Sequence, residues 1–144
     1  MTMKKILVAI DGSENSTKAL EKAKELALLN NSELMILNVV SDLRNYHPYV
    51  IDRVYESEIN KVLLEHGKKL LDEALKIFEG YEGKVGTSIK CGDAAREIIE
   101  MAEKGGYDLL VMGSRGLNAL SRAMLGSVSN KVLNHIKISV LIVR

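Results

Sequence analysis

The sequence has few of the residues that mark several large classes of protein. Its 144 residues include one cysteine, Cys91, so neither an internal disulfide nor a cysteine-rich zinc site can form, and we expect a reducing, cytoplasmic setting. No apolar run approaches the roughly 18 residues that a membrane span requires. The apolar stretch at 6–10 ends at Asp11, which makes it too short for the core of a signal peptide.

An excess of charge of one sign is also lacking. Twenty lysines and arginines stand against 19 aspartates and glutamates, which gives a net charge of +1. A chain so close to neutral has no general basic surface for nucleic acid or anionic membranes, and we expect neither as a partner. Its hydrophobic content of 47% is enough for a packed core, and its length predicts a single domain over residues 1–144.

Five apolar runs predict β-strands, and amphipathic patterns between them predict helices. The strands are predicted at 4–10, 33–40, 84–90, 108–112 and 138–143, and four of the five runs are nearly continuous in apolar residues. Such runs are typical of strands buried on both faces of a parallel sheet. Four helices are predicted. The first carries Ala19 to Ala27 and is capped by Ser13 or Ser16, and the second covers 56–79 and ends at Gly80. The third covers 94–104 and is capped by Asp93, and the fourth covers 126–135.

The alternation of strands and helices predicts the architecture. With right-handed crossovers, the order βαβαβαβαβ gives an open, doubly wound, five-stranded parallel sheet with helices on both faces. One irregular stretch, at about 41–55, interrupts the pattern and contains the only proline, Pro48, and three of the five tyrosines. This stretch is either a functional flap near the ligand or a plain surface excursion, and the residues favour neither.

Glycines and serines after the fourth strand predict an anion site. Ligands of open parallel sheets bind beyond the carboxyl ends of the strands, where Gly113 and Gly116 follow strand four and Gly126 opens the last helix. Main-chain amides uncovered at these glycines, together with the hydroxyls of Ser127 and Ser129, could hold phosphate oxygens. Residues 113–144 include five basic and no acidic side chains, which favours an anion over the alternative of a simple turn and helix start.

The spacing of these residues resembles the nucleotide-binding branch of the universal stress protein family. Gly113-x-x-Gly116, nine residues and then Gly126-Ser127 is similar to that branch's motif G-x2-G-x9-G-(S/T). The segments 6–13, 92–98 and 108–116 and the terminal Val-Leu-Ile-Val-Arg also resemble the family, so the resemblance spans the chain. It implies a Rossmann-like, adenine nucleotide alpha hydrolase-like fold of three α/β/α layers.

The resemblance also implies a ligand, a partner and site residues. The ligand would be ATP with Mg or Mn, and the partner a second copy, paired through the last strand from Ile138 to Val143. Asp11 would lie near the ribose and phosphates and meet the metal, Val39 would meet the adenine through its backbone, and residues 126–129 would hold the β- and γ-phosphates. Ile10 stands where some relatives have a proline beside the adenine. The full set of implied ligand contacts is Ile10, Asp11, Ser13, Val39, Met112, Gly113, Arg115, Gly116, Gly126, Ser127, Val128 and Ser129.

Other nucleotide folds and catalytic sites have little support in the sequence. The chain has neither the P-loop pattern G-x4-G-K-(S/T) nor a G-x-G-x-x-G after strand one. Its three histidines are scattered, and we expect Cys91 to be a small buried side chain rather than a redox thiol. Together with the resemblance, these absences lead us to expect a nucleotide-dependent regulatory switch with weak or no ATP hydrolysis. The alternative is a protein-interaction module of the same fold that binds no nucleotide.

Overall fold

Nine elements alternate along the chain in a computed structural model that describes residues 3–41, 53–115 and 125–144, with only the backbone described at 53–56. Every predicted strand is present with bounds within one residue at each end. The elements are β1 (Lys5–Ala9), α1 (Glu14–Asn30), β2 (Glu33–Val40), α2 (Arg53–Lys76), β3 (Val85–Cys91), α3 (Ala94–Lys104), β4 (Leu109–Gly113), α4 (Ser127–His135) and β5 (Ser139–Val143).

The five strands form one sheet in the order β3-β2-β1-β4-β5, and each neighbouring pair is parallel. The predicted five-stranded parallel sheet is confirmed. Strand order runs outward in one direction from β1 to β3 and in the other from β4 to β5, so it reverses between β1 and β4. Ile6 of β1 is in register with Leu34 on one side and Leu109 on the other.

Two apolar layers cover the faces of the sheet, because successive strand residues point to opposite sides. Ile6, Val8 and Ile36 pack in one layer against α1 and α2, and Leu7 and Leu37 pack in the other against α3 and α4. All five side chains are fully buried. The protein is therefore a three-layer α/β/α structure, as the sequence predicts. Within the described ranges, none of the helices combines the length and the apolar character needed to cross a bilayer.

The helix starts follow from local sequence. Ser13 caps α1, since its hydroxyl accepts a hydrogen bond from the Ser16 N–H at 3.1 Å, which decides between the two predicted caps. The carboxylate of Asp93 caps α3 by accepting from the Arg96 N–H at 3.0 Å, as predicted. In contrast, Gly126 precedes α4 and supplies no side-chain cap.

The second helix differs from its predicted bounds. It begins at Arg53 rather than 56 and ends at Lys76 rather than 79. Beyond Lys76 the bonds tighten to a three-residue spacing, from the Phe78 N–H to the Leu75 carbonyl at 3.0 Å, and Gly80 turns the chain at φ +81°. The predicted flap or excursion, with Pro48, falls mostly at 42–52, outside the described residues.

The prediction that Cys91 is buried is wrong, because the residue is exposed. It ends β3, which lies at one edge of the sheet, and a side chain there has a neighbouring strand on one side only. The same geometry explains β5 at the opposite edge. Its residues from Val140 to Val143 are half-buried rather than covered on both faces.

Candidate functional site

A cavity of about 340 Å³ opens at the carboxyl edge of the sheet, at the point between β1 and β4 where strand order reverses. Its volume falls within the range of small-molecule pockets. The structure brings ten of the twelve predicted ligand residues to the wall of this cavity. They are Ile10, Asp11, Val39, Met112, Gly113, Arg115, Gly126, Ser127, Val128 and Ser129.

The remaining two predicted residues are Ser13 and Gly116. Gly116 lies outside the described residues. Ser13 is buried and does not line the cavity. Its hydroxyl caps α1 instead. Its backbone N–H donates to Oδ1 of Asp11 at 2.9 Å, so Ser13 orients the carboxylate that does reach the cavity.

Six further residues, which the sequence analysis did not predict, also line the cavity. They are Ala9, Ser16, Leu37, Ser41, Ala94 and Ile98. The prediction considered mainly residues that directly follow a strand, whereas Ala94 and Ile98 come from α3. The period of the helix could have found them, since Ala94 and Ile98 are four residues apart and share one face of α3. Leu37 could have been found from Val39, because residues two apart on a strand share a face.

The N-terminus of α4 forms one wall and is the part of the cavity suited to an anion. Helix bonding starts where the Asn130 N–H donates to the Gly126 carbonyl at 2.9 Å. The N–H groups of Ser127, Val128 and Ser129 therefore have no intrahelical acceptor. Gly126 adopts an extended conformation (φ −64°, ψ 162°) and caps none of them. Three N–H donors and the positive end of a helix thus face the cavity.

The glycines themselves act differently from the sequence prediction, which assigned them uncovered amides. A Cβ atom on Gly113 would lie 2.9 Å from both the carbonyl carbon and the Cβ of Asn15, so this glycine permits the close approach of α1 to β4. The N–H of Gly126 is not uncovered, since it donates to the Ser114 carbonyl at 2.7 Å. The donors come instead from the three residues after Gly126.

Hydrogen bonds fix α4 against the end of β4. The buried hydroxyl of Ser129 donates to the Gly113 carbonyl at 2.9 Å, so its proton is not available to a ligand. On the other side of β4, the Asn15 side-chain amide donates to the Ser114 hydroxyl at 3.2 Å. These bonds place α1, β4 and α4 as one frame around the cavity.

Two charged side chains, Asp11 and Arg115, belong to the cavity wall. One oxygen of Asp11 accepts the Ser13 N–H, which leaves its other oxygen for a ligand. Nε of Arg115 is buried and has no hydrogen-bond partner among the described residues. A buried donor without an acceptor is costly, and an anion in the cavity would remove that cost.

The predicted metal contact at Asp11 is a single carboxylate. Within the described ranges, no group of three or more His, Cys, Asp or Glu side chains is arranged to hold a metal ion. A magnesium ion that also binds ligand phosphates needs only one or two protein carboxylates. The donor set therefore fits a metal carried in by a phosphate ligand better than a metal bound by the protein alone.

Comparison with known proteins agrees with the architecture. The universal stress protein family model matches residues 2–144. The universal stress protein YxiE of Bacillus subtilis is 38% identical over 145 residues, which cover 97% of this chain and 98% of that protein. The solved UspA of Lactobacillus plantarum is similar with a TM-score of 0.89 and 27% identity, over 100% of this chain and 99% of that one. An Archaeoglobus fulgidus universal stress protein, solved in complex with dAMP, shares the fold at a TM-score of 0.69 and 17% identity, over the whole of both chains.

Proposed function

The chain belongs to the universal stress protein family, and from that premise we propose that it is an ATP-binding regulatory protein. The observation that carries the proposal is the uncapped N-terminus of α4, which presents three N–H donors to the cavity. The solved dAMP complex of a protein with this fold supports an adenine nucleotide as the ligand class. In this proposal residues 1–144 are a single domain that works in the cytoplasm.

The phosphate chain would lie against α4. Backbone N–H groups bind phosphate oxygens without the conformational cost of ordering long side chains, and the helix dipole adds to the attraction. Ser127 is exposed and its hydroxyl can donate, whereas the Ser129 hydroxyl already donates to Gly113. Arg115, which also lines the cavity, would supply a guanidinium to the phosphates.

The ribose and base would occupy the rest of the cavity. Asp11 has one free carboxylate oxygen, which can accept from a ribose hydroxyl or bind Mg or Mn beside the phosphates. The walls around the base would be Ile10, Val39, Ala94 and Ile98, which provide flat apolar contact suited to a purine. When bound, the divalent ion would neutralise phosphate charge.

The role we propose is a switch with slow ATP turnover or none. A ligand changes a protein's conformational equilibrium only through different contacts in the two states. The elements that contact the cavity, above all α4, are the ones whose positions ATP would bias. Fast hydrolysis needs a base that orients water at the γ-phosphate, and the proposal assigns no residue to that role.

We also propose a homodimer that pairs through β5. The strand lies at the sheet edge with half-buried apolar side chains, and exposed apolar edges favour pairing with another chain. The Ser114 N–H donates to the Val143 carbonyl at 2.8 Å, which shows that odd-numbered residues of β5 bond to β4. The N–H groups of Val140 and Ile142 therefore point outward, where a second copy would bond.

A direct test is the effect of nucleotide on thermal unfolding. Mg-ATP at 100 times its dissociation constant should stabilise the native state by about 2.7 kcal/mol. For a domain of this size that corresponds to a rise in Tm of about 8 °C. Mass spectrometry of the purified protein should identify a co-purifying adenine nucleotide. No shift at millimolar ATP, with no nucleotide in the preparation, would favour the alternative of an interaction module.

A further inference from the structure

The backbone of β2 has an open hydrogen-bonding position at the cavity. The Glu33 N–H donates to the Lys4 carbonyl at 2.7 Å, and the Ile10 N–H donates to the Leu37 carbonyl at 2.9 Å. Odd-numbered residues of β2 therefore bond toward β1, because the direction alternates along a strand. The N–H and C=O of Val39 must then also point toward β1, at the level where β1 has already ended at Ala9.

The next rung of this ladder would join the Val39 N–H to the Ile10 carbonyl. That bond is not among those found in the part of the chain that the structure describes. Instead, Nδ2 of Asn38 donates to the Ile10 carbonyl at 2.8 Å, and this bond is buried. The side chain of Asn38 thus takes the acceptor that would otherwise close the sheet over Val39, a residue of the cavity wall.

Gly67 of α2 makes room for this side chain. A Cβ atom at position 67 would lie 2.8 Å from Oδ1 of Asn38 and 2.6 Å from Cδ1 of Ile89. Asn38 is 6% exposed, so the amide is held between α2 and the sheet. Glycine inside a helix costs about 1 kcal/mol relative to alanine, and the space that the side chains of Asn38 and Ile89 need accounts for its presence here.

We propose that Asn38 is a positioning residue that keeps the main chain of Val39 open to read the base of the bound nucleotide. This inference rests on the proposed nucleotide-binding function. An N–H donor beside a C=O acceptor matches adenine, which carries an acceptor ring nitrogen next to its N6 amino donor. Guanine carries the O6 acceptor at that place and would face the Val39 carbonyl with the wrong polarity. Asn38 therefore acts on base selection, through Val39 and without touching the ligand.

Amide hydrogen exchange measured by NMR tests the open position in the free protein. The Val39 amide should exchange much faster than the amides of Val8 and Leu37 within the ladder, and Mg-ATP should slow it. In Asn38→Leu the Ile10 carbonyl loses its donor, so the Val39 N–H should bond to it and become protected without nucleotide. A Val39 amide as protected as its ladder neighbours in the free native protein would overturn the proposal, whether or not nucleotide binds.

Binding measurements test the base-reading role. Asn38→Leu should weaken ATP by about 10-fold, the size expected for two net hydrogen bonds, and should reduce the preference for ATP over GTP. Its affinity for inorganic tripolyphosphate, which has no base, should stay unchanged. Gly67→Ala, which displaces the Asn38 amide while keeping the residue, should lower the same preference. Equal losses for ATP, GTP and tripolyphosphate would overturn the positioning role.

A matched control separates this role from general stability. Tyr81→Phe also removes part-buried hydrogen bonds, from the tyrosine hydroxyl to the carbonyls of Ser32 and Ala27, which lie before the start of β2 and away from the cavity lining. It should leave Val39 exchange and ATP selectivity unchanged. A native protein with an open Val39 amide that binds no nucleotide would refute the proposed function and the base-reading role with it. In that case, fast exchange of the Val39 amide would still show that the hydrogen-bonding pattern inferred for β2 is correct. The failure of nucleotide binding could therefore be distinguished from an error in that pattern.

Discussion

Replacing Gly126 with aspartate should stabilise the protein and weaken nucleotide binding at the same time. The helix α4 has three N–H groups without intrahelical acceptors and no side-chain cap. A carboxylate at the cap position would accept one of these hydrogen bonds and lie at the positive end of the helix. It would also occupy the place where we expect a phosphate to bind.

The two effects can be estimated separately. An aspartate cap gains a few tenths of a kcal/mol over glycine, and the helix dipole adds about 0.3–1 kcal/mol, so Tm should rise by about 3 °C. A carboxylate about 4 Å from a phosphate charge costs about 4 kcal/mol at an effective dielectric constant of 20. With screening by salt and by the bound metal, we expect the affinity for ATP to fall by about 100-fold.

Gly126→Ala is the matched control for this experiment. The backbone at φ −64° accepts alanine, and alanine leaves the three N–H groups uncapped and adds no charge. Isothermal titration calorimetry with Mg-ATP and thermal denaturation should be carried out on both variants. Aspartate and alanine variants with the same ATP dissociation constant, within a factor of two, would show that phosphate does not bind at α4.

Three other predictions concern the fold and the assembly. Gly113→Ala should destabilise the protein by about 1–3 kcal/mol in urea denaturation, because its Cβ would meet the Asn15 backbone at 2.9 Å; unchanged stability would contradict the packing role of Gly113. Val140→Pro should convert a dimer to a monomer in sedimentation, since it removes an outward N–H and no bond to β4, whereas Val140→Thr should remain dimeric; a dimeric proline variant would exclude pairing through β5. Burial raises the pKa of Tyr81 above its ordinary value. Its contribution to stability should therefore be complete below about pH 10 and be lost as pH rises through the raised pKa, a loss that Tyr81→Phe should abolish in denaturation curves at different pH.

The strands and the position of the cavity could be predicted from the sequence because both depend on short-range pattern. Continuous apolar runs mark buried parallel strands, and the carboxyl edge of such a sheet collects the residues that follow them. The start of α2 was predicted three residues too late, because the apolar periodicity of this helix begins only at Ile59, and the N-cap residue type that directly precedes Arg53 in the sequence, Asp52, was not used. Exposure of Cys91 depends on β3 being an edge strand, and the position of a strand in the sheet is a long-range property.

The role of each glycine was harder to predict than its importance. Sequence spacing marks Gly113 and Gly126 equally, but only the folded chain brings Asn15 against Gly113 and the Ser114 carbonyl against the Gly126 N–H. Similarly, Asn38 has no recognisable motif around it. Its bond to Ile10 spans 28 residues and depends on two strands being adjacent.

The missing cap of α4 has a consequence for how this protein survives in a cell. A helix of nine residues is marginal on its own, and α4 is held at its start by the Ser129 bond and the packing of Val132 rather than by a cap. Local unfolding of an empty protein should begin there, ahead of the central strands. A bound phosphate would accept hydrogen bonds from the N–H groups of the first turn and so stabilise the start of the helix. The fraction of the protein with nucleotide bound would then determine how often α4 is locally unfolded and accessible to proteases. The supply of nucleotide would therefore control how long the protein lasts as well as which conformation it adopts.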